Sequence, residues 1–367
     1  MSDKRIHNLA KVMVEYSTKV QPKDRVGILA QPEASPLILE IYRQVLRAGG
    51  YPYLLLKPEG RDYIFFSEAN DDQLQHINQM ERMIREEFEV MIYLYSALNT
   101  KELNGIDPAR QKMWVQARRP MTEKYVERSA SGELRWVLTM YPTSGYAQDA
   151  SMSVQELADY IYSTTYADTD DPIAKWQEIH DQQQKLVDWM EGKDKIVVKG
   201  PNVDLSLSVK GRKFINSDGT HNMPSGEIYT SPVEDSVEGW VRFTYPAIYL
   251  GREVEGVELK FEKGKVVEAT AEKNEDFLLQ MLDSDEGARY LGEFAIGTNK
   301  RIDRFIGSIL FDEKIGGTFH MAVGYGFPQA GTQNKSSIHW DMICDMRDGG
   351  QIFVDDELIY ESGDIKI

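Results

Sequence analysis

The hydrophobic pattern of this chain changes character once, and that change constrains the fold more than any other feature. Up to about residue 150, short apolar runs alternate with segments of helix length. Arg25–Ala30 (RVGILA), Tyr51–Leu56 (YPYLLL), 88–95 (FEVMIYLY) and 134–140 (LRWVLTM) have the length and content of buried strands. Between them, Ile6, Leu9, Ala10, Met13 and Tyr16 recur at helical spacing. Leu37, Ile38, Ile41, Tyr42, Val45 and Leu46 form a second apolar stripe, opened by Ser35 as a cap with Pro36 in the first turn and closed by Gly49 and Gly50. Strands separated by helices need crossover connections, so this half predicts an open, parallel α/β sheet.

Helical segments follow at 154–162 and 173–190. After Gly192 the period falls from that of a helix to two. Residues 195–198 and 203–209 are strand-like, 237–268 alternate apolar and polar positions between Gly251, Gly256 and Gly264, and 351–365 have the same texture. The chain is 367 residues long, enough for about two domains. The expected division is an N-terminal α/β domain over 1–193 and a strand-rich α+β domain over 194–367.

Charge excludes some partners. With 42 basic against 59 acidic residues the formal net charge is -17. No basic run interrupts that excess, which argues against nucleic acid or an anionic membrane as the main partner. A single cysteine, Cys344, rules out an intrachain disulfide and any multi-cysteine zinc site. With no apolar leader at the start and no apolar run approaching 18 residues, the expected location is the cytoplasm. Phosphate loops, nucleophile elbows and HExxH are all missing.

The candidate chemistry lies in the second half. His7, His76 and His180 sit in polar helical segments and read as solvated. His339 and Asp341 are two apart in the strand-like run SSIHWDMI and therefore share a face. They form either a surface pair or two ligands of one divalent ion. His320 in GGTFHMAVGYG is a core histidine or a ligand. Glu293 in YLGEFAIGTN and Glu227 in NMPSGEIYTSP carry carboxylates among apolar neighbours, which is costly unless each is paired or metal-bound. Glu293 has Arg289 as a possible partner, and Glu227 has a rim position as its plainer alternative. One cause covers all five: two glutamates, two histidines and an aspartate have the donor mix of a hydrolytic site with two divalent metals.

Four ordered motifs carry a resemblance. HNMPSGEIYTSPVEDSVEGWVRF (221–243), LGEFAIGTN (291–299), GGTFHMAVGYGFP (316–328) and SSIHWDMICDM (336–346) resemble the aminopeptidase T/AmpS family of two-metal leucyl aminopeptidases, the thermophilic metalloproteases. Residues 9–52 resemble the family's opening, so the likeness covers nearly the whole chain. It implies that Glu227, Glu293, His320, His339 and Asp341 hold two divalent cations (zinc, cobalt or manganese), that the substrate is a peptide, and that the protein is a homodimer with its sites facing an internal cavity. Within that frame Glu227 or Glu293 takes the proton of the attacking water, and Glu234 and Asp235 line the amine end of the substrate. The family carries a tyrosine seven residues after the first metal-site histidine. Here that place is Phe327, and Tyr325 is the expected hydrogen-bond donor to the oxyanion.

Two other readings compete. His320, His339 and Asp341 also make the two-histidine, one-carboxylate set of a mononuclear Fe(II) ring-cleaving dioxygenase, as in the dihydroxypyridine dioxygenases that share the fold. A peptide-binding module without turnover is the third. The presence of both Glu227 and Glu293 favours two metals.

Overall fold

The computed structural model describes residues 3–367. Its contacts group the chain into two units, one running to Trp176 and including Gly219–Pro224, the other comprising Gln177–Asp218 and Ser225–Ile367. The sequence places the division after residue 193.

The first unit is built on a five-stranded, wholly parallel sheet in the order 51–56, 25–30, 90–95, 135–140 and 222–223. Its centre is apolar for the reason the sequence suggests. Val26 pairs with Val90 and Ile92 with Val137, and all four are inaccessible to solvent. Parallel strands covered on both faces are continuous apolar runs. The edge strand Tyr51–Leu56 is the exception, with Tyr51, Tyr53, Leu54 and Leu56 exposed. The first helix, Lys4–Lys11, continues as a wider π-wound turn over Val12–Ser17.

Two local expectations change here. Ser35 does not cap the second helix, which spans Ser35–Arg47 with Ala34 at the cap position; the Ser35 hydroxyl donates instead to the carbonyl of Pro32. The fifth strand, Asn222–Met223, escapes detection because two residues carry no periodicity.

The second unit is antiparallel. An eight-stranded sheet runs in the order 265–270, 258–262, 238–242, 203–208, 195–200, 351–354, 357–361 and 364–365. A five-stranded sheet runs in the order 339–345, 318–324, 291–297, 227–230 and 215–217. Alternation along the smaller sheet separates two chemistries. Phe294, Ile296, Phe319, Met321, Trp340 and Met342 all belong to the main apolar core of the unit. The rings of Phe294 and Phe319 stack at 5.9 Å, and burying each contributes about 1.5–3 kcal/mol. The residues between them carry the carboxylates and imidazoles.

Candidate metal centre

The register of the small sheet assembles the site. On the Glu227–Thr230 strand, Glu227 and Tyr229 lie opposite Gly297 and Ala295. Ala295 is in turn opposite His320, and Ala322 is opposite both Glu293 and Asp341. Gly324 is opposite His339. Directly paired residues share a face, so one face presents Glu227, Glu293, His320, Asp341 and His339 around Ala295, Gly297, Ala322 and Gly324, with Tyr229 and Ile343 on the two outer strands. Small residues at those positions leave space above the sheet. A bulge between Leu291 and Glu293 shifts the pairing where Glu293 enters the site, as bulges do when they re-aim one side chain. Gln183 fixes the first strand, its amide donating to the Glu227 carbonyl at 3.2 Å and accepting from the Thr298 hydroxyl at 2.7 Å.

The five sequence candidates come together. His339 Nε2 is 3.2 Å from Glu293 Oε2 and 3.5 Å from Asp341 Oδ1. His320 Nε2 is 3.6 Å from Glu227 Oε2 and 3.7 Å from Glu293 Oε1. Glu293 therefore stands between the two imidazoles, one oxygen towards each. Both strands that carry Glu293 and His320 are buried along their whole length.

Glu227 Oε2, Asp341 Oδ1 and both nitrogens of His320 are buried without a hydrogen-bond partner. These four are half of all such atoms among the described residues. Buried polar groups are normally satisfied, yet Glu227 Oε2 and His320 Nε2 face each other at 3.6 Å, too far apart for a hydrogen bond. The His339 ring is oriented by its Nδ1, which donates to the Tyr325 carbonyl at 2.7 Å. That bond leaves Nε2 with a free lone pair facing Glu293 and Asp341, the usual arrangement behind a metal-ligating histidine.

The electrostatics agree. Burial works against ionisation, yet the two histidines hold Glu293 below the ordinary carboxylate range. Burial opposes the Asp341 charge too, but His339 and His320 bring its pKa down to about 2. Conversely, burial disfavours the His339 cation while Asp341 and Glu293 raise its basicity well above the ordinary imidazole. A concentration of negative field around lone pairs that attracts a proton so strongly attracts a divalent cation for the same reason. The donor set is nitrogen and carboxylate oxygen, which suits a divalent cation such as zinc, cobalt or manganese.

The other candidates are placed differently. Both oxygens of Glu234 are engaged: Oε2 is 2.5 Å from Arg212, and Oε1 accepts from the Thr332 hydroxyl at 2.8 Å and the Gln333 N–H at 2.7 Å. Asp235 is exposed. Neither joins the ligand-bearing groups. Tyr325 contributes its backbone carbonyl, and its side chain is among the exposed large ones. Phe327 packs edge-on against His339, with ring centroids 5.2 Å apart.

Three residues go unnoticed in the sequence. Tyr229 is two residues beyond Glu227 on the same strand face, and its ring meets Phe327 at 5.0 Å; alternation was a sufficient signal. Glu313 offers a carboxylate oxygen within 4.8 Å of donor atoms of His320 and Asp341. Lys314, wholly buried, places Nζ 3.0 Å from Glu227 Oε1. Both follow a four-residue helix in the run ILFDEKIGG, where no periodicity marks a face.

A sheet face of buried carboxylates and imidazoles with unsatisfied lone pairs defines a metal-dependent protein. The thermophilic metalloprotease (M29) family model matches residues 2–365, and the chain belongs to that family. Aminopeptidase 2 of Geobacillus stearothermophilus is 26% identical over 390 residues, a match spanning 100% of this chain and 94% of the relative. Aminopeptidase T of Thermus thermophilus is 29% identical over 261 residues, spanning 64% of this chain and 62% of that one. Among solved structures, wild-type AmpT from Thermus thermophilus matches with a TM-score of 0.86 at 22% identity over 99% of both chains. A 2,5-dihydroxypyridine dioxygenase from Pseudomonas putida matches with a TM-score of 0.58 at 13% identity over 98% of this chain and 96% of the other. These two likenesses concern the fold. Among the described residues no helix is long and apolar enough to cross a membrane.

Proposed function

We propose that this metalloprotease is an aminopeptidase that cleaves the N-terminal residue from small peptides, using two divalent cations held by Glu227, Glu293, His320, His339 and Asp341. The observation that carries the reading is that unpartnered, buried Glu227 Oε2, Asp341 Oδ1 and His320 Nε2 gather with His339 about Glu293. Divalent cations supply Lewis acidity there, polarising a peptide carbonyl and making water acidic enough to react near neutral pH.

The chain's own groups do the rest. Glu293, with one oxygen towards each imidazole, would hold metal beside both His320 and His339. Glu227 keeps Oε2 without a hydrogen-bond partner while Oε1 faces Lys314, so Oε2 is the oxygen that would hold a cation, and Glu227 or Glu293 takes the proton from the attacking water and returns it to the leaving amine. The Tyr325 carbonyl holds His339 in the tautomer that offers Nε2. Phe327 and Tyr229 form an aromatic wall beside His339, which keeps bulk water from that side. Glu234 acts indirectly, tying residues 331–333 to Arg212.

The family resemblance supports zinc, cobalt or manganese as the metal, the cytoplasm as location and a homodimer as the assembly. The apolar edge strand Tyr51–Leu56 adds support for a second copy, since exposed edges with large apolar side chains are usually covered.

The test is to purify the full chain, count bound metals, and assay leucyl and other aminoacyl anilides with and without a chelator. Activity abolished by the chelator and restored by zinc, cobalt or manganese is expected. One iron per chain, with oxygen uptake and no anilide cleavage, would overturn the reading. Sedimentation of the same sample reports the assembly state.

A further inference from the structure

The sheet face that carries the carboxylates and imidazoles also carries a phenol. Tyr229 lies opposite Ala295, which is itself opposite His320, so only a methyl group stands between the phenol and that imidazole across the sheet. Two strand spacings put their backbones roughly 10 Å apart, a gap that a phenol and a bound peptide carbonyl fill together. The Tyr229 ring meets Phe327 at 5.0 Å, and Phe327 meets His339 at 5.2 Å, which fixes the ring on the side of the site. Burial and the charges of Glu293 and Glu227 oppose ionisation of the hydroxyl, so it stands in the field of both carboxylates. Its neighbours on the face are committed elsewhere. The hydroxyls of Ser217, Ser231 and Thr318, on the same alternation, are bonded to Ser225, the Gly292 carbonyl and the Ile315 carbonyl. His339 Nδ1 donates to the Tyr325 carbonyl, and the Tyr325 side chain is exposed. Ionised carboxylates have no proton to donate.

Resting on the aminopeptidase reading above, we infer that Tyr229 is a further catalytic residue, its phenol donating a hydrogen bond to the oxygen of the attacked peptide carbonyl as that oxygen gains negative charge. The proton stays on the phenol throughout. A donor aimed where charge develops stabilises the transition state more than the bound substrate, so the effect belongs in turnover and not in substrate binding. Phe327 positions the donor through the edge contact between the two rings.

Tyr229→Phe removes one oxygen and keeps the ring, so cobalt content and melting of the full-length protein should match the parent. Turnover of a leucyl anilide per bound cobalt should fall on the order of 10²-fold, the usual cost of one oxyanion donor, with KM little changed. Calorimetry with two ligands supplies a readout apart from activity. The phosphonic acid analogue of leucine, whose tetrahedral anion imitates the attacked carbonyl, should bind Tyr229→Phe about tenfold or more weakly. Isopentylamine, the same amine and side chain without the anion, should bind both proteins alike. Unfolded protein lowers the stoichiometry of such titrations and leaves the comparison of affinities intact. Unchanged phosphonate affinity overturns the inference, as does a loss shared equally by isopentylamine or a raised KM at unchanged turnover, either of which makes Tyr229 a wall of the side-chain pocket. The same loss in Tyr325→Phe, with Tyr229→Phe at the parent rate, gives the role to Tyr325 and also overturns it. A parent protein inactive on every aminoacyl anilide overturns the aminopeptidase reading and this inference together, whereas an active parent with an equally active Tyr229→Phe overturns only this one.

Discussion

The two units handle buried charge in opposite ways. In the first, Arg118 is buried with Nε 2.8 Å from Glu81, and its remaining N–H groups donate to the carbonyls of Leu74 and His76. Arg135 likewise meets Asp24 at 2.7 Å and donates to the carbonyls of Thr18 and Lys19. In the second, Glu227, Glu293 and Asp341 surround two histidines at distances that leave lone pairs unused. A charge whose every partner is protein is part of the architecture. One whose partners are incomplete is waiting for something that is not protein.

Substitutions can break that contrast, and the largest effect should come from the centre. Glu293→Gln keeps the volume but removes the shared charge, and aminopeptidase activity should fall on the order of 10³-fold, equivalent to ~4 kcal/mol of transition-state stabilisation. Metal content should fall with it while the circular dichroism spectrum stays unchanged. His339→Ala should remove metal from one position with the fold intact, and undiminished metal content would take His339 out of the site.

In the first unit the consequences should reverse. Arg118→Met leaves Glu81 and two carbonyls without their donor, so unfolding free energy should drop by ~3 kcal/mol in urea titrations. The turnover number of the folded fraction should not change. A variant with normal stability and low activity would erase the distinction between the units.

A pH series sharpens the same comparison. Burial pushes the Glu234 carboxyl up, but the Gln333 N–H, the Thr332 hydroxyl and Arg212 outweigh it and hold the group below the ordinary glutamate range. Because the folded-state pKa is depressed, its stabilisation is present above about pH 4.5 and is lost as pH falls through the lower folded value. Glu234→Gln should melt below the parent protein at pH 7, and the gap should narrow as both are taken below pH 4.5. A constant gap would show that the carboxylate does not act through its charge. The smallest effect belongs to the exposed pair Arg119 and Glu123, where Arg119→Ala should leave both melting and activity as they are.

Much of this was legible in the chain. The strands at 25–30 and 51–56 occupy the residues their apolar runs mark, and the parallel pairing follows from the helices between them. Histidine and aspartate two apart on one strand do share a face, because alternation is a local property of the backbone. Glu234 was not legible in the same way. Its position near Glu227 in sequence suggests a substrate contact, whereas its partners Thr332 and Gln333 are about 100 residues away along the chain.

The sequence by itself determined the alternation, the change from parallel to antiparallel texture, and the residue types able to hold a metal, since each depends on neighbours a few positions apart. Only the tertiary structure decided that Ala295, Ala322, Gly297 and Gly324 lie among the clustered carboxylates and imidazoles, that the Tyr325 carbonyl orients His339, and that Lys314 and Glu313 reach the same centre. Those relations arise where distant strands fall into register and a turn folds over them. No period in the chain encodes that meeting.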